Sequence, residues 1–133
     1  MYTIELDIKL ADRAVSYLAD RENVTVLHGD ALDVLPKVLQ SPVDKVLIFL
    51  DGHFSGGVTV CGDMPEPAVE ELRVISAYRD KIQAVVVDDF RCFGTEHGWP
   101  SKSALLKAAE DYFEKYGFEL NAHLDQLILE RKA

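Results

Sequence analysis

Six carboxylates in this chain stand where a run of apolar residues gives out. Glu5 and Asp7 follow YTI, Asp30 follows VTVLHG, Asp51 follows KVLIFL, and Asp88-Asp89 follow QAVVV. In an open α/β sheet, ligands bind outside the carboxyl ends of the strands, where such residues sit. Clustered carboxylates repel and raise one another's pKa unless a cation or hydrogen-bond donors offset the charge. A rim built this way calls for a divalent metal ion, a hydroxyl-rich ligand such as ribose, or both. Each residue also has an ordinary structural use. Asp is a favoured helix N-cap, which suits Asp30 before Ala31, and Asp88 or Asp89 before a short helix over 90–93. His53, two residues past Asp51, is a candidate base and equally a loop histidine bonded to backbone.

The elements that must position these residues alternate. Tyr2–Leu6 is a short β-prone run. Leu10, Ala11, Ala14, Tyr17 and Leu18 recur at helical spacing. Val24–His28 is a second strand. Leu32, Leu35, Val38 and Leu39 form the next helical face, with Pro36 expected in its first turn. Lys45–Leu50 is continuous and apolar, as in a strand covered on both faces. A Gly- and Pro-rich loop runs from Gly52 to Pro67, and Val69, Leu72, Ile75 and Tyr78 mark a helix. Gln83–Val87 is another buried strand, followed by a loop over 94–100. Leu105, Ala109, Tyr112, Phe113 and Tyr116 give a long helix closed by Gly117. Phe118–Ala122 and Gln126–Glu130 suit an antiparallel hairpin. The expected fold is α/β: one Rossmann-like, doubly wound, mostly parallel sheet over residues 1–133, with helices on both faces and a C-terminal antiparallel hairpin.

Composition narrows the function. A chain of 133 residues suits one core. A net charge of −9 argues against nucleic-acid binding, which needs basic surface. No apolar run reaches the ~20 residues of a membrane span. The acidic, alternating start is no signal peptide. Cys61 and Cys92 lack metal or redox spacing and read as reduced, packed thiols of a cytoplasmic protein.

Read together, YTIELD, VTVLHGDALDVLP, VLIFLDGHFSGG and VVVDDF resemble, in order and spacing, the second to fifth strands of class I S-adenosylmethionine-dependent methyltransferases. The subgroup they look most like is the catechol-type O-methyltransferases. The resemblance implies that Glu5, with Asp7 as the fallback, binds the cofactor's ribose, and that Asp30 and Ala31 lie near its adenine. It implies that Asp51, Asp88 and Asp89 hold Mg2+ or another divalent cation. Asp51 would also face the methyl donor, with His53 as base for a small hydroxylated acceptor. The family's first strand and glycine-rich turn have no counterpart before Tyr2, and the reading expects an N-terminally truncated form of the fold. That strand belongs in mid-sheet. Its loss leaves two apolar strand edges open, which are prone to pair with whatever is near. The expectation is a homodimer, or a sheet rearranged to close the gap.

Two other functions use the same residues. One is a non-catalytic binding module with Phe90–Trp99 as its contact surface. The other is a metal-dependent hydrolase using the carboxylates with His53 and His97.

Overall fold

The computed structural model describes residues 1–52 and 66–133. The elements follow the expected alternation. Strand β1 (Tyr2–Glu5) leads to α1 (Ile8–Tyr17), β2 (Thr25–His28) to α2 (Ala31–Gln40), and β3 (Val46–Leu50) is followed by α3 (Ala68–Ile75). Then come β4 (Ile82–Val87), α4 (Lys102–Tyr112) and the strands β5 (Phe118–His123) and β6 (Gln126–Arg131). Single 3-10 turns stand at Ser76–Lys81, Phe90–Cys92 and Glu114–Tyr116. No helix among the described residues is long and apolar enough to cross a membrane.

The strands form two sheets. β1 and β2 pair in parallel, and the second sheet runs β3-β4-β6-β5. In it β3 and β4 are parallel, while β6 is antiparallel to both β4 and β5. The hairpin turns on Leu124-Asp125, with Leu124 at φ 53°. Gly117, at φ 88°, ends the helical stretch before β5 and takes the left-handed conformation that glycine adopts without steric cost.

The core gathers on one side of the larger sheet. Ile48, Leu50, Val85, Val87, Leu127 and Leu129 are buried from the strands. Leu39, Leu72, Ile75, Leu105 and Ala109 meet them from α2, α3 and α4. Phe113 and Phe118 stack edge to face at 5.1 Å and seal the hairpin end. Lys81 bolts two elements together: its Nζ donates to the carbonyls of Leu39 and Ser41 at 2.7 and 3.0 Å. A cation there satisfies the last carbonyls of α2 and suits its negative dipole end.

Three expectations fail for physical reasons. Pro36 sits at the sixth position of α2, beyond its first turn. The helix begins where Asp30 caps it, so Pro36 falls mid-helix and the Leu32 carbonyl loses its i+4 donor. β3 is covered on one face only: Ile48 and Leu50 are buried, but Leu47 is 64% exposed and Phe49 52%. Its continuous apolar sequence hides this, because the pattern cannot say that no described residue covers one face. Nor is the sheet rearranged to close the gap. β1 and β3 share no ladder, and both line one groove of about 850 Å³.

The path of the chain explains the bare face. It steps one way from β1 to β2 and back past β1 to β3. Right-handed crossovers then put α1 and α2 on opposite sides. The helices α2, α3 and α4 share one layer, and α1 packs on the small sheet. Nothing described lies over Leu47 and Phe49.

Replacing Leu129 by Ala is expected to cost about 2–5 kcal/mol, since it empties a fully buried site beside β4. Leu47→Ser is expected to stay within about 0.5 kcal/mol. Urea denaturation of the two variants checks this, and a large loss for Leu47→Ser would mean that face is packed.

Candidate functional site

The carboxyl ends of β1 to β4 meet at one rim, and short backbone links hold them there. The Gly29 amide donates to the Glu5 carbonyl at 3.0 Å, joining the ends of β2 and β1. The Asp88 amide donates to the Leu50 carbonyl at 3.0 Å, joining β4 to β3. Gly29 has φ +149°, and a Cβ there would lie 2.8 Å from Val34 Cγ2. No larger residue fits where β2 turns into α2.

Most of the rim carboxylates are held by local donors. Glu5 Oε1 accepts the Asp7 amide at 2.8 Å. Asp7 caps α1, accepting from Lys9 and Leu10 amides at 2.7 and 3.1 Å. Asp30 caps α2 through the Leu32 amide at 2.8 Å. For Asp7 and Asp30 the ordinary use of the residue type is realised. Ala31, Asp51 and Gly52 line the groove between β1 and β3.

The expected metal set does not gather. Asp88 Oδ1 accepts from Gln126 Nε2 at 3.3 Å, turned towards the hairpin. Asp89 stands in the left-handed region at φ 51° and pairs with Arg91 Nη1 at 2.7 Å. Arg91 also pairs with Asp125, whose carboxylate and carbonyl accept the Arg91 and Phe90 amides at 2.8 Å each. The β4 end is thus tied to the hairpin turn by two carboxylates sharing one guanidinium. Among the described residues no three His, Cys, Asp or Glu side chains stand where they would hold a metal ion. Asp51, Asp88 and Asp89 form no such group. His53 and Cys61 lie outside the described residues. His97 is exposed in the 94–100 turn, far in role from a ligand set. Within the segment Phe90–Trp99, Arg91 and residues 94–98 are exposed, while the two large rings turn inward. Phe93 is 1% exposed, and Trp99 packs edge to face on it at 5.1 Å.

One acidic residue that the sequence reading passed over stands at the heart of the rim. Glu71, on α3, is 2% exposed, and its Oε2 has no hydrogen-bond partner among the described residues. A Cβ on Gly52 would sit 3.7 Å from Glu71 Oε1, so the carboxyl lies directly behind the end of β3. Burial first, then the negative charges of Glu66 and Asp30, push its pKa up to about 8. Glu66 is itself buried and accepts the Ala68 amide at 2.8 Å, at the start of α3. At neutral pH Glu71 therefore holds a proton and is a hydrogen-bond donor facing the groove. In sequence it reads as one more acid in PAVEELR, and only the fold buries it.

No protein-family model and no curated protein matches the chain. Solved structures do. A protein assigned as an rRNA methylase from Clostridium thermocellum superposes with TM-score 0.60 at 17% identity, over 96% of this chain and 72% of that one. A protein assigned as a caffeoyl-CoA O-methyltransferase from Staphylococcus aureus gives TM-score 0.55 at 20% identity, over 99% of this chain and 64% of that one. The chain thus spans less than two thirds of the second protein's length. It shares the Rossmann-like, methyltransferase-type α/β fold that the sequence resemblance implied.

Glu71 makes stability depend on pH. Between its unfolded pKa near 4.5 and its folded value of about 8, the native chain keeps a proton that the unfolded chain releases. Its contribution is therefore full below pH 4.5, falls by up to about 1.4 kcal/mol per pH unit as pH rises, and levels off above pH 8. Glu71→Gln, which cannot ionise, is expected to gain on the parent chain steadily from pH 5 to pH 8.5 in urea denaturation. Parallel pH profiles for the two proteins would mean that Glu71 is solvated.

Proposed function

We propose that this domain binds the nucleoside part of S-adenosylmethionine at the rim of β1, β2 and β3, in a methyltransferase-like protein acting on a small hydroxylated molecule. The observation that carries the reading is the meeting of these strand ends beside the groove, in a fold shared with two proteins assigned as methyl-transferring enzymes. Glu5 would take the ribose hydroxyls, since a carboxylate accepts both. Ala31, beside the Asp30 cap, would floor the adenine. The protonated Glu71 would donate to an acceptor atom that an ionised carboxylate would repel.

The cofactor, when bound, supplies an activated methyl group. This chain would supply proximity, alignment and removal of the acceptor proton. Asp51, at the end of β3, and His53 beyond it are the residues to orient and deprotonate the acceptor hydroxyl. No step runs through a metal ion, because Asp88 and Asp89 are engaged by Gln126 and Arg91. The net charge of −9 favours a small acceptor over the RNA named for one structural neighbour.

The same engagement of Asp88 and Asp89 favours a second reading. The domain would bind a nucleoside or a partner without transferring a methyl group, since function follows the site and not the fold.

Calorimetric titration with S-adenosylhomocysteine tests both. Micromolar binding is expected, about −8 kcal/mol, unchanged by magnesium and weakened at least tenfold by Glu5→Ala. Binding without methyl transfer to any hydroxylated acceptor would select the second reading. No binding at millimolar ligand would overturn the first.

A further inference from the structure

We propose that His28 is a positioning residue for the ribose site: through one peptide group of the β1–α1 turn, its ring sets the orientation of the Glu5 carboxylate. The proposal rests on the reading of Glu5 as the ribose acceptor given above.

Glu5 ends β1, and only Leu6 and Asp7 separate it from Ile8, the first residue of α1. A turn this short leaves backbone carbonyls that need partners. The helix does not answer that of Leu6. Its first backbone bond runs from the Ala11 amide to the Asp7 carbonyl at 2.8 Å, and the Leu10 amide is spent on the Asp7 side chain at 3.1 Å. The neighbouring strand supplies the donors. His28 is the register partner of Glu5 at the end of the β1–β2 ladder. The Gly29 amide donates to the Glu5 carbonyl at 3.0 Å, and His28 Nε2 lies 3.1 Å from the Leu6 carbonyl oxygen. Consecutive residues of β2 thus hold consecutive carbonyls of the turn. A carbonyl only accepts, so the His28 ring makes this bond with its proton on Nε2.

The two bonds do different work. The Gly29 bond ends at Glu5 and leaves the next peptide group free to rotate. The Leu6 carbonyl belongs to that next group, and its other end is the Asp7 amide. A peptide group is planar, with C=O and N–H pointing opposite ways. Holding the oxygen therefore aims the N–H. The Asp7 N–H in turn donates to Glu5 Oε1 at 2.8 Å. One rigid group is clamped at both ends, by the His28 ring and by the Glu5 carboxylate. With Oε1 anchored, the carboxylate keeps one orientation and still has lone pairs on both oxygens for hydroxyl donors. Without the His28 bond the peptide group can swing, and Glu5 loses its anchor. A ligand would then have to order a free glutamate on binding, which costs affinity.

The test titrates adenosine and 2′,3′-dideoxyadenosine into the full chain, followed by backbone amide shifts in NMR. The parent is expected to prefer adenosine about tenfold, since only its sugar offers Glu5 hydroxyls. The His28 side chain is exposed, so its removal leaves the core intact. His28→Ala is expected to lower the affinity for adenosine about three- to tenfold and to leave that for the dideoxy form unchanged. His28→Gln is expected to restore most of the loss, because its side-chain amide can donate to the same carbonyl. The ring-nitrogen shifts of His28 in the free protein are expected to show the proton on Nε2.

Three results would overturn the proposal. One is a neutral His28 ring protonated on Nδ1, which would mean that the bond does not form. Another is an unchanged preference for adenosine in His28→Ala. The last is equal weakening of both nucleosides, the mark of a general loosening. A parent chain that binds both nucleosides alike, or neither, would instead strike the ribose role of Glu5 and take this proposal with it.

Discussion

A strand inside a sheet needs both of its edges answered, and in this molecule only some strands meet that demand. β4 does so: it is parallel to β3 on one edge and antiparallel to β6 on the other, with Val85 and Val87 buried between them. β6 does so between β4 and β5. The packed core is the set of residues that lies against these two strands. The ends of β3 and β4 are set by the Asp88–Leu50 backbone bond, and the end of β4 is pinned to the hairpin through Asp125. Where no described strand meets the demand, between β1 and β3, the sheet parts and a groove opens.

Acidic groups at the rim divide by what lies within reach of them. Asp7 and Asp30 face the free amides of a helix start, and those amides hold them. Asp88 and Asp89 face side-chain donors from the C-terminal half. Glu71 faces neither. It is carried by α3 into the space behind Gly52, where water is scarce and Glu66 and Asp30 add their fields. A carboxyl so placed stays neutral, because ionisation without a partner costs more than holding a proton. Charge at this rim is governed by local geometry, and a count of acids does not give it.

Much of the architecture was legible in the sequence because it rests on local rules. Strand and helix alternate through YTI, VTVLH, KVLIFL and QAVVV, and the two terminal strands straddle a polar turn. The cap at Asp30 and the stop at Gly117 follow from residue type, while Asp7, taken for a ligand residue, caps α1. What escaped depends on neighbours distant in the chain. The exposure of Leu47 and Phe49 depends on what lies over β3, which no period in KVLIFL encodes. The engagement of Asp88 and Asp89 depends on Gln126 and Arg91, and the reach of Gln126 is fixed only by the folded hairpin. Glu71 escaped because an acid in a helix ordinarily faces water.

The break between the two ladders also bears on how the molecule comes apart. The cluster of buried residues draws on Leu39 and then only on residues from Ile48 onward. The first forty residues are therefore joined to the rest chiefly through α2, with the Lys81 staple at its end. Detaching β1, α1 and β2 breaks no strand pair of the larger sheet. The arrangement favours opening of the amino-terminal ladder as a unit of its own, ahead of the core. A protease that cuts more slowly than this ladder recloses would then remove the amino-terminal strands at a rate that follows the local opening and not the strength of the core.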